Sequence, residues 1–226
     1  MVDSVKFNEA INFLRQRLAL PDGVWLKLFQ EADKAARDRS AGMSEAMVRD
    51  ILEAVLTALE EGTTVETFRD DFDAIATARG WAGDNTVGWR SALTFRVMTA
   101  QAMAAGRWRQ IQRLKARRPW LRYITAGDHR VRDAHKAWHG IILSADDPWW
   151  QTHFPPNGFN CRCHVQQLSD RDLKRYGLNV TPEAPSRKTV IRFARGVDGV
   201  RKPVEVPEGI DPGFAVNLGE MDINSA

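Results

Sequence analysis

The sequence is poor in cysteine and contains no long apolar segment. Only two of its 226 residues are cysteines, Cys161 and Cys163, which excludes a disulfide-stabilised scaffold. No segment reaches the ~18 consecutive apolar residues that a membrane-spanning helix needs, so we expect no membrane partner. The N-terminal sequence lacks the uninterrupted apolar region of a secretory signal, which predicts that the chain is made and first acts in the cytoplasm.

The common catalytic signatures are also missing. The sequence contains no Walker A loop, no Gly-x-Ser-x-Gly elbow and no His-Glu-x-x-His pair. The sequence therefore predicts a protein that is not an enzyme of an established class.

The composition is that of a globular protein, with 43% hydrophobic and 27% charged residues. The net charge of +3 is unevenly distributed, because the segment from Arg107 to Lys136 holds ten basic and two acidic residues. Such a segment indicates either a polyanionic or acidic partner, or simply a solvated basic face.

The first eighty residues show apolar residues at helical spacing, which predicts a helical bundle. Pro21 is expected to end the first helix, Ser44 to cap the third, and Thr63 with Glu66 to form a capping box for the fourth. Gly62 and Gly80 are expected to follow the third and fourth helices. The apolar positions are Phe7, Ile11, Leu14 and Leu18, then Trp25, Leu28, Phe29, Ala32 and Ala36, then Met47, Ile51, Leu52, Val55 and Leu59, then Phe68, Phe72 and Ile75.

A long helix is predicted over residues 87–114, leading into a smaller mixed region. Its apolar stripe contains Trp89, Leu93, Val97, Ala100, Ala104, Trp108 and Ile111, and small residues near Gly106 would let another backbone come close. After Pro119 we expect strands at 123–125, 141–143 and 161–168, a short helix over 130–139, and a second short helix with a Ser169–Asp172 capping box and a stop at Gly177.

The sequence thus predicts an α+β, mainly α protein with three parts. Residues 1–118 form the helical domain, residues 119–178 a small antiparallel β-containing subdomain, and residues 179–226 an extended tail. In the tail, residues 189–193 are expected to form one strand, and the remainder, including 204–214, to lie extended on another surface. The aromatic residues of the 146–160 loop are expected to pack over the thin sheet, or to form a partner surface.

The densest chemistry lies between Tyr123 and Leu168. On a strand, Cys161 and Cys163 would face the same side, and on a helix His135 and His139 would share a face. Two thiolates and two imidazoles would complete a tetrahedral structural zinc site, with His129, His153 and His164 as alternative ligands. The alternative is two reduced cysteines in a strand and a hydrogen-bonded core histidine.

Asp128, Arg132 and His135 form a second candidate set. As an enzyme site, His135 would act as a general base and Arg132 as an anion clamp, which defines an alternative function as a metal-dependent hydrolase or nuclease. As a structural set, Asp128 would cap the short helix and pair with Arg132, pinning that helix to the sheet. We favour the structural interpretation, because no phosphate loop or nucleophile motif accompanies the set.

The order of the motif residues between Asp128 and Cys163 resembles that of the phage Mu F-like head morphogenesis family, which contains minor head proteins of tailed phages and prophages. Further matching segments are Trp89-Arg90, Gln101 with Gly106-Arg107, Asp146-Asp147-Pro148-x-Trp150 with Gly158, and Gly209 to Phe214. The motif residues are Asp128, Arg132, His135, Gly140, Pro155, Pro156, Cys161, Arg162 and Cys163.

The resemblance implies a minor capsid protein that docks on the portal or major capsid protein inside the head, and that is made in the host cytoplasm. His139 and His164 are outside the family pattern, which leaves His135, Cys161 and Cys163 as the preferred metal ligands and Asp128 as a possible fourth. Inside a DNA-filled head, the basic segment would contact double-stranded DNA without sequence preference, by counterion release. The DNA-contact candidates are Arg107, Arg109, Arg113, Lys115, Arg117, Arg118 and Arg122.

Overall fold

The computed structural model describes residues 7–19, 45–80, 87–195 and 200–220. The predicted second helix, the proposed helix-ending Pro21 and the proposed cap Ser44 lie outside these residues. Among the described residues the protein is α+β and mainly α, as the sequence predicts. The elements are α1 (Asn8–Leu18), α2 (Glu45–Glu61), α3 (Val65–Ala78), α4 (Val87–Leu114), β1 (Trp120–Ile124), α5 (Asp133–Trp138), β2 (Ile142–Ser144), α6 (Trp150–His153), β3 (His164–Leu168), α7 (Asp170–Tyr176), β4 (Thr189–Arg195) and β5 (Arg201–Pro207).

Most helix ends follow the predicted signals. Gly62 and Gly80 follow α2 and α3 with φ of 71° and 68°. The Ser169–Asp172 capping box of α7 is present, and Gly177 ends that helix in the left-handed conformation. The start of α3 differs by one residue, because Thr64 rather than Thr63 accepts a hydrogen bond, from the Thr67 amide.

The helix α4 belongs to two hydrophobic cores. The predicted stripe, including Val97, Trp108 and Ile111, packs into a C-terminal core with the sheet. A second apolar face, which includes Met98 and Ala102, packs against α1, α2 and α3. The division of the chain after residues 118 and 178 stays a prediction, and α4 contributes to both cores. No helix in the described part of the chain has the length and apolar content needed to cross a membrane.

Close packing of α1 on α4 depends on Gly106. A Cβ atom on Gly106 would lie 2.6 Å from the backbone nitrogen of Ala10, which is inside van der Waals contact. The small residues of α4 therefore let the backbone of α1 approach, as the sequence predicts. An ion pair between Arg113 and Glu9, 2.7 Å long, lies on the same contact.

The sheet of the C-terminal core is antiparallel with strand order β2-β1-β3. Leu121 pairs with Leu143 and Gln167, and Tyr123 pairs with Val165. Leu121, Tyr123 and Val165 are buried, which places one face of the sheet on the core. The three predicted strands are present, but β3 begins at His164 rather than at Cys161.

The tail differs from the prediction. Residues 201–207 form β5, which pairs antiparallel with β4 from Thr189↔Pro207 to Arg195↔Arg201, so the expectation of a single strand is wrong. Pro203 and Pro207 weaken the strand signal in the sequence, yet an edge strand of a two-stranded sheet accommodates them.

After β5 the chain crosses both cores. Ile210 and Phe214 are buried in the C-terminal core, and Leu218 reaches the core of the helical bundle. Gly219 lies so close to Trp108 on α4 that a Cβ atom there would overlap the indole.

Candidate metal centre

His135 presents one ring nitrogen to the cysteines because its other ring nitrogen is held. The side chain is 1% exposed, and its ring stacks on Trp138 with centroids 5.0 Å apart. Its Nε2 lies 2.9 Å from the carbonyl oxygen of Gly209. A carbonyl only accepts hydrogen bonds, so the network assigns the proton of the neutral ring to Nε2. The lone pair of Nδ1 is therefore available.

Both cysteine sulfurs lie beside this nitrogen. The distance from Nδ1 to Sγ is 3.8 Å for Cys161 and 3.6 Å for Cys163. The cysteines lie in the irregular segment before β3, so the predicted strand is not what brings them together. Within the described residues, these three are the only group of His, Cys, Asp or Glu side chains that meets the distance criterion for holding a metal ion.

The two thiols share a proton unequally. The hydrogen bond from the Cys163 thiol, helped by the nearby Asn157 and Cys163 amides, lowers the pKa of Cys161 to about 4 although burial opposes the shift. The same hydrogen bond and burial raise the pKa of Cys163. The site thus favours at least one thiolate, which is the form that binds metals.

Asp128 lies outside this cluster and has a different partner from the one predicted. Its carboxylate accepts two hydrogen bonds of 2.7 Å from the Arg162 guanidinium, and this contact lowers the pKa of Asp128 to about 2. Asp128 accepts from the Arg130 amide rather than capping α5, whose N-cap is Arg132. The predicted cap and the predicted Asp128–Arg132 pair are therefore wrong.

Arg132 instead holds the tail. Its Nη2 donates to Asp211 over 3.1 Å and to the carbonyl oxygen of Phe159 over 2.9 Å. Asp211 also accepts from the Phe159 amide, 3.0 Å away. The arginine was identified from the sequence, but Asp211 was not assigned a role, although it lies in the Gly209-to-Phe214 segment that carries part of the family resemblance.

The other histidines are placed elsewhere. The helix α5 ends at Trp138, so His139 no longer shares its face, and the Nδ1 of His139 accepts from the Thr125 amide over 3.1 Å. The ring of His153 stacks on Trp149 at 4.3 Å. His129 and His164 are exposed. The structure does not bring these four side chains to the cysteines.

The remaining motif residues shape the surrounding backbone. Gly140 has φ of 87° and donates its amide to the carbonyl of Tyr123, 2.9 Å away. Pro155 is buried, and the Pro155–Pro156 peptide bond is cis. Asn157 follows them, and its Oδ1 accepts from the Tyr123 hydroxyl over 2.8 Å.

Two cavities adjoin the cluster. One of about 20 Å³ is lined by the three cluster residues together with Arg130, Arg132 and Arg162. The other, of about 750 Å³, is lined by these arginines, Arg96 and Cys161 among others. Among the described residues, the lining of both cavities contains arginines and no acidic side chain, and Arg132 and Arg162 are paired with Asp211 and Asp128.

Four of the seven DNA-contact candidates have partners within the protein. Arg109 donates to Gln16, Arg113 pairs with Glu9, Lys115 pairs with Asp146, and Arg118 pairs with Asp172. Arg107 and Arg117 are exposed, and in the described part of the chain no carboxylate lies within 4.0 Å of either. The half-buried Arg122 has a buried Nε without a hydrogen-bond partner among the described residues.

Comparison with known proteins identifies the family. Residues 49–166 match the model of the family described as Phage Mu protein F like protein. The chain is 32% identical over 173 residues to protein F of Escherichia phage Mu, which is named for capsid assembly, a match that covers 70% of this chain and 39% of that protein. It is 30% identical over 162 residues to the Mu-like prophage FluMu F protein of Haemophilus influenzae, covering 66% of this chain and 39% of the relative.

The chain spans about two fifths of the length of these curated relatives. No solved structure matches. The family match covers more than half of the chain and includes α4, β1, α5 and the His135–Cys161–Cys163 cluster. The chain therefore belongs to the Phage Mu F-like protein family, as its sequence motifs indicate.

Proposed function

We propose that this chain acts in phage head assembly as a minor head protein that docks on the portal or major capsid protein. The match of residues 49–166 to the Mu F-like family carries the proposal, and the name of the phage Mu relative supplies the role in capsid assembly. The chain would act in the host cytoplasm during assembly and then remain in the virion.

An exposed apolar pair on β4 supports docking on another head protein. Ile191 and Phe193 are 68% and 65% exposed, and their spacing of two places them on the same face of the strand. Apolar side chains that remain in solvent on a two-stranded sheet favour burial against a partner. We therefore assign the face of β4 with Ile191 and Phe193 to the contact with the portal or major capsid protein.

The docking surface is tested by replacing both residues with serine. We expect the double variant Ile191→Ser/Phe193→Ser to lose at least tenfold in affinity for the portal or major capsid protein of the same genome, measured with purified proteins. The matched control is Arg192→Ser, which changes an exposed residue on the other face of β4 and should bind normally. Normal binding by the double variant at unchanged melting temperature would contradict the assignment of this surface.

Non-specific DNA contact is the second part of the proposal, and it rests on fewer side chains than the sequence predicts. Arg107, in the last third of α4, and Arg117, just after it, are exposed without a nearby carboxylate in the described residues, whereas Arg113 is neutralised by Glu9. Unpaired guanidinium groups on a surface bind phosphates by releasing counterions.

The salt dependence of DNA binding tests this part. The double variant Arg107→Gln/Arg117→Gln should reduce the slope of log K against log salt concentration by about 2, since each lost phosphate contact removes about one unit. Arg113→Gln is the control and should have a smaller effect. Binding to duplex DNA that is absent at low salt, or insensitive to salt, would refute DNA contact while leaving the docking proposal intact.

The hydrolase or nuclease alternative receives no specific support from the geometry. Asp128 is bound by Arg162, Arg132 is bound by Asp211, and the free nitrogen of His135 faces two sulfurs. Incubation of the purified chain with plasmid DNA, with and without a chelator, would reveal turnover if it occurs.

A further inference from the structure

We propose that His135, Cys161 and Cys163 bind one zinc ion through Nδ1 and two Sγ atoms, leaving the fourth coordination position open to a water molecule or a small anion. This inference concerns a metal site and does not depend on the proposed role in head assembly.

The spacing of the three atoms fits a tetrahedral ion. Zinc bonds of ~2.3 Å to sulfur and ~2.0 Å to nitrogen at tetrahedral angles place nitrogen and sulfur ~3.5 Å apart and two sulfurs ~3.8 Å apart. The observed distances from Nδ1 to the sulfurs are 3.6 and 3.8 Å, and all three atoms lie within 4.8 Å of one another. Only small side-chain movements would be needed to admit the ion.

The surrounding groups orient the ligands as metal sites usually require. The hydrogen bond from Nε2 to Gly209 fixes the tautomer in which Nδ1 binds the metal, and a carbonyl in this position is a common outer partner of ligating histidines. The backbone amides of Asn157 and Cys163 help to lower the pKa of Cys161, which favours its thiolate form. The His135 ring is therefore already fixed in the orientation that a zinc ligand requires.

The donor set and the local charge favour zinc. Thiolate and imidazole ligands suit zinc, whereas magnesium and calcium prefer oxygen ligands. Two thiolates balance the charge of Zn²⁺, and the proton that the sulfurs share is released to solvent on binding. Arg132 and Arg162 are close enough to act electrostatically on the cysteines, and their positive charge favours thiolates.

The fourth position faces the cavity of about 20 Å³ that the cluster shares with three arginines. A cavity of this size holds about one water molecule. Asp128, the fourth ligand considered from the sequence, is held by Arg162 and does not belong to the cluster. The fourth ligand is therefore a water molecule or, because arginines line the cavity, hydroxide or another small anion.

The zinc content of the purified 226-residue chain tests the site. After loading with zinc and removal of the excess, we expect about one zinc per chain, and the cobalt-loaded protein should show the strong visible absorption of tetrahedral cobalt thiolate. Cys161→Ser, Cys163→Ser and His135→Ala should each lower zinc affinity at least tenfold. His139→Ala is the matched control, since this histidine lies outside the cluster, and should bind like the parent.

Every result bears on the proposal. His135 is buried, so its alanine variant could unfold, and the folding of every variant is checked by circular dichroism. If His135→Ala unfolds, the two serine variants and the cobalt spectrum of the parent decide the result. A folded parent without zinc after loading, zinc that remains in both folded serine variants, or a Cys161–Cys163 disulfide found by mass spectrometry in the freshly purified parent would overturn the site. Loss of zinc on His139→Ala alone would also contradict it.

Discussion

Replacing Trp149 with alanine is expected to lower the free energy of unfolding by about 3–5 kcal/mol, the largest effect that we predict for a single substitution. Trp149, the residue immediately before α6, is fully buried. Its ring contacts Trp138 at 5.6 Å, Trp150 at 5.0 Å and His153 at 4.3 Å between centroids. Alanine would leave a cavity in the aromatic centre of the C-terminal core.

A phenylalanine at the same position should cost much less. The indole Nε1 of Trp149 is buried without a hydrogen-bond partner among the described residues, so Trp149→Phe removes an unsatisfied donor while keeping most of the apolar contact. Urea denaturation of the parent and both variants measures the difference. Tyr176→Ala, at a residue that is 56% exposed, is the control and should stay within about 0.5 kcal/mol of the parent. Equal costs for the alanine and phenylalanine variants would contradict this packing.

Acidification from pH 6.5 to pH 4 is expected to destabilise the protein through His153. Burial lowers the pKa of His153 from 6.5 to about 4. Because the unfolded state takes up the proton first, the stability from the neutral ring is complete above pH 6.5 and is lost as pH falls toward 4. The full loss is about 3 kcal/mol, since one pKa unit corresponds to about 1.4 kcal/mol.

The groups around His153 are consistent with this direction. The rings of Trp138 and Trp149 enclose it, and the positive charge of Arg187 and the ring of His135 lower the pKa further. Its backbone contact with Trp149 acts the other way, and Thr152 Oγ1 lies 2.8 Å from its Nδ1.

Chemical denaturation at several pH values tests this contribution. His153→Gln should reduce the loss of stability between pH 6.5 and 4.5, with a residual slope from His164 and from the Cys161 thiol, whose pKa values are also lowered in the folded protein. Asp128 has a lowered pKa and therefore loses its contribution only at more acidic pH, from below about 4 toward 2. An unchanged slope in the variant would show that another group titrates in this range.

Local signals explain which parts of the fold the sequence could predict. Apolar periodicity predicted α4, and the Ser169–Asp172 spacing together with Gly177 predicted the start and the end of α7. These predictions succeed because each signal acts within one or two helical turns. The aromatic packing of the 146–160 loop was also predicted, since a thin sheet needs such a cover.

Long-range contacts explain what the sequence could not predict. His135 binds Gly209, 74 residues away, and Arg132 binds Asp211, 79 residues away, so no local spacing marks these partners. The pairing of β4 with β5 was missed because the prolines in β5 weaken its strand pattern. For the candidate site, the sequence grouped His135, Cys161 and Cys163, and the structure brings these three side chains together. The sequence also predicted His139 on the same helix face as His135, which is wrong because α5 ends one residue before His139.

Head formation in the presence and absence of this chain is the most direct measurement of its proposed function. The head genes of the phage or prophage that encodes it would be expressed with and without the gene for this chain, and the particles counted by electron microscopy and analysed for protein content. We expect the chain to be found in purified heads, and its omission to reduce DNA-filled heads at least tenfold, with recovery when the gene is supplied separately. Normal numbers of filled heads without the chain, and heads that never contain it, would contradict a role in head assembly.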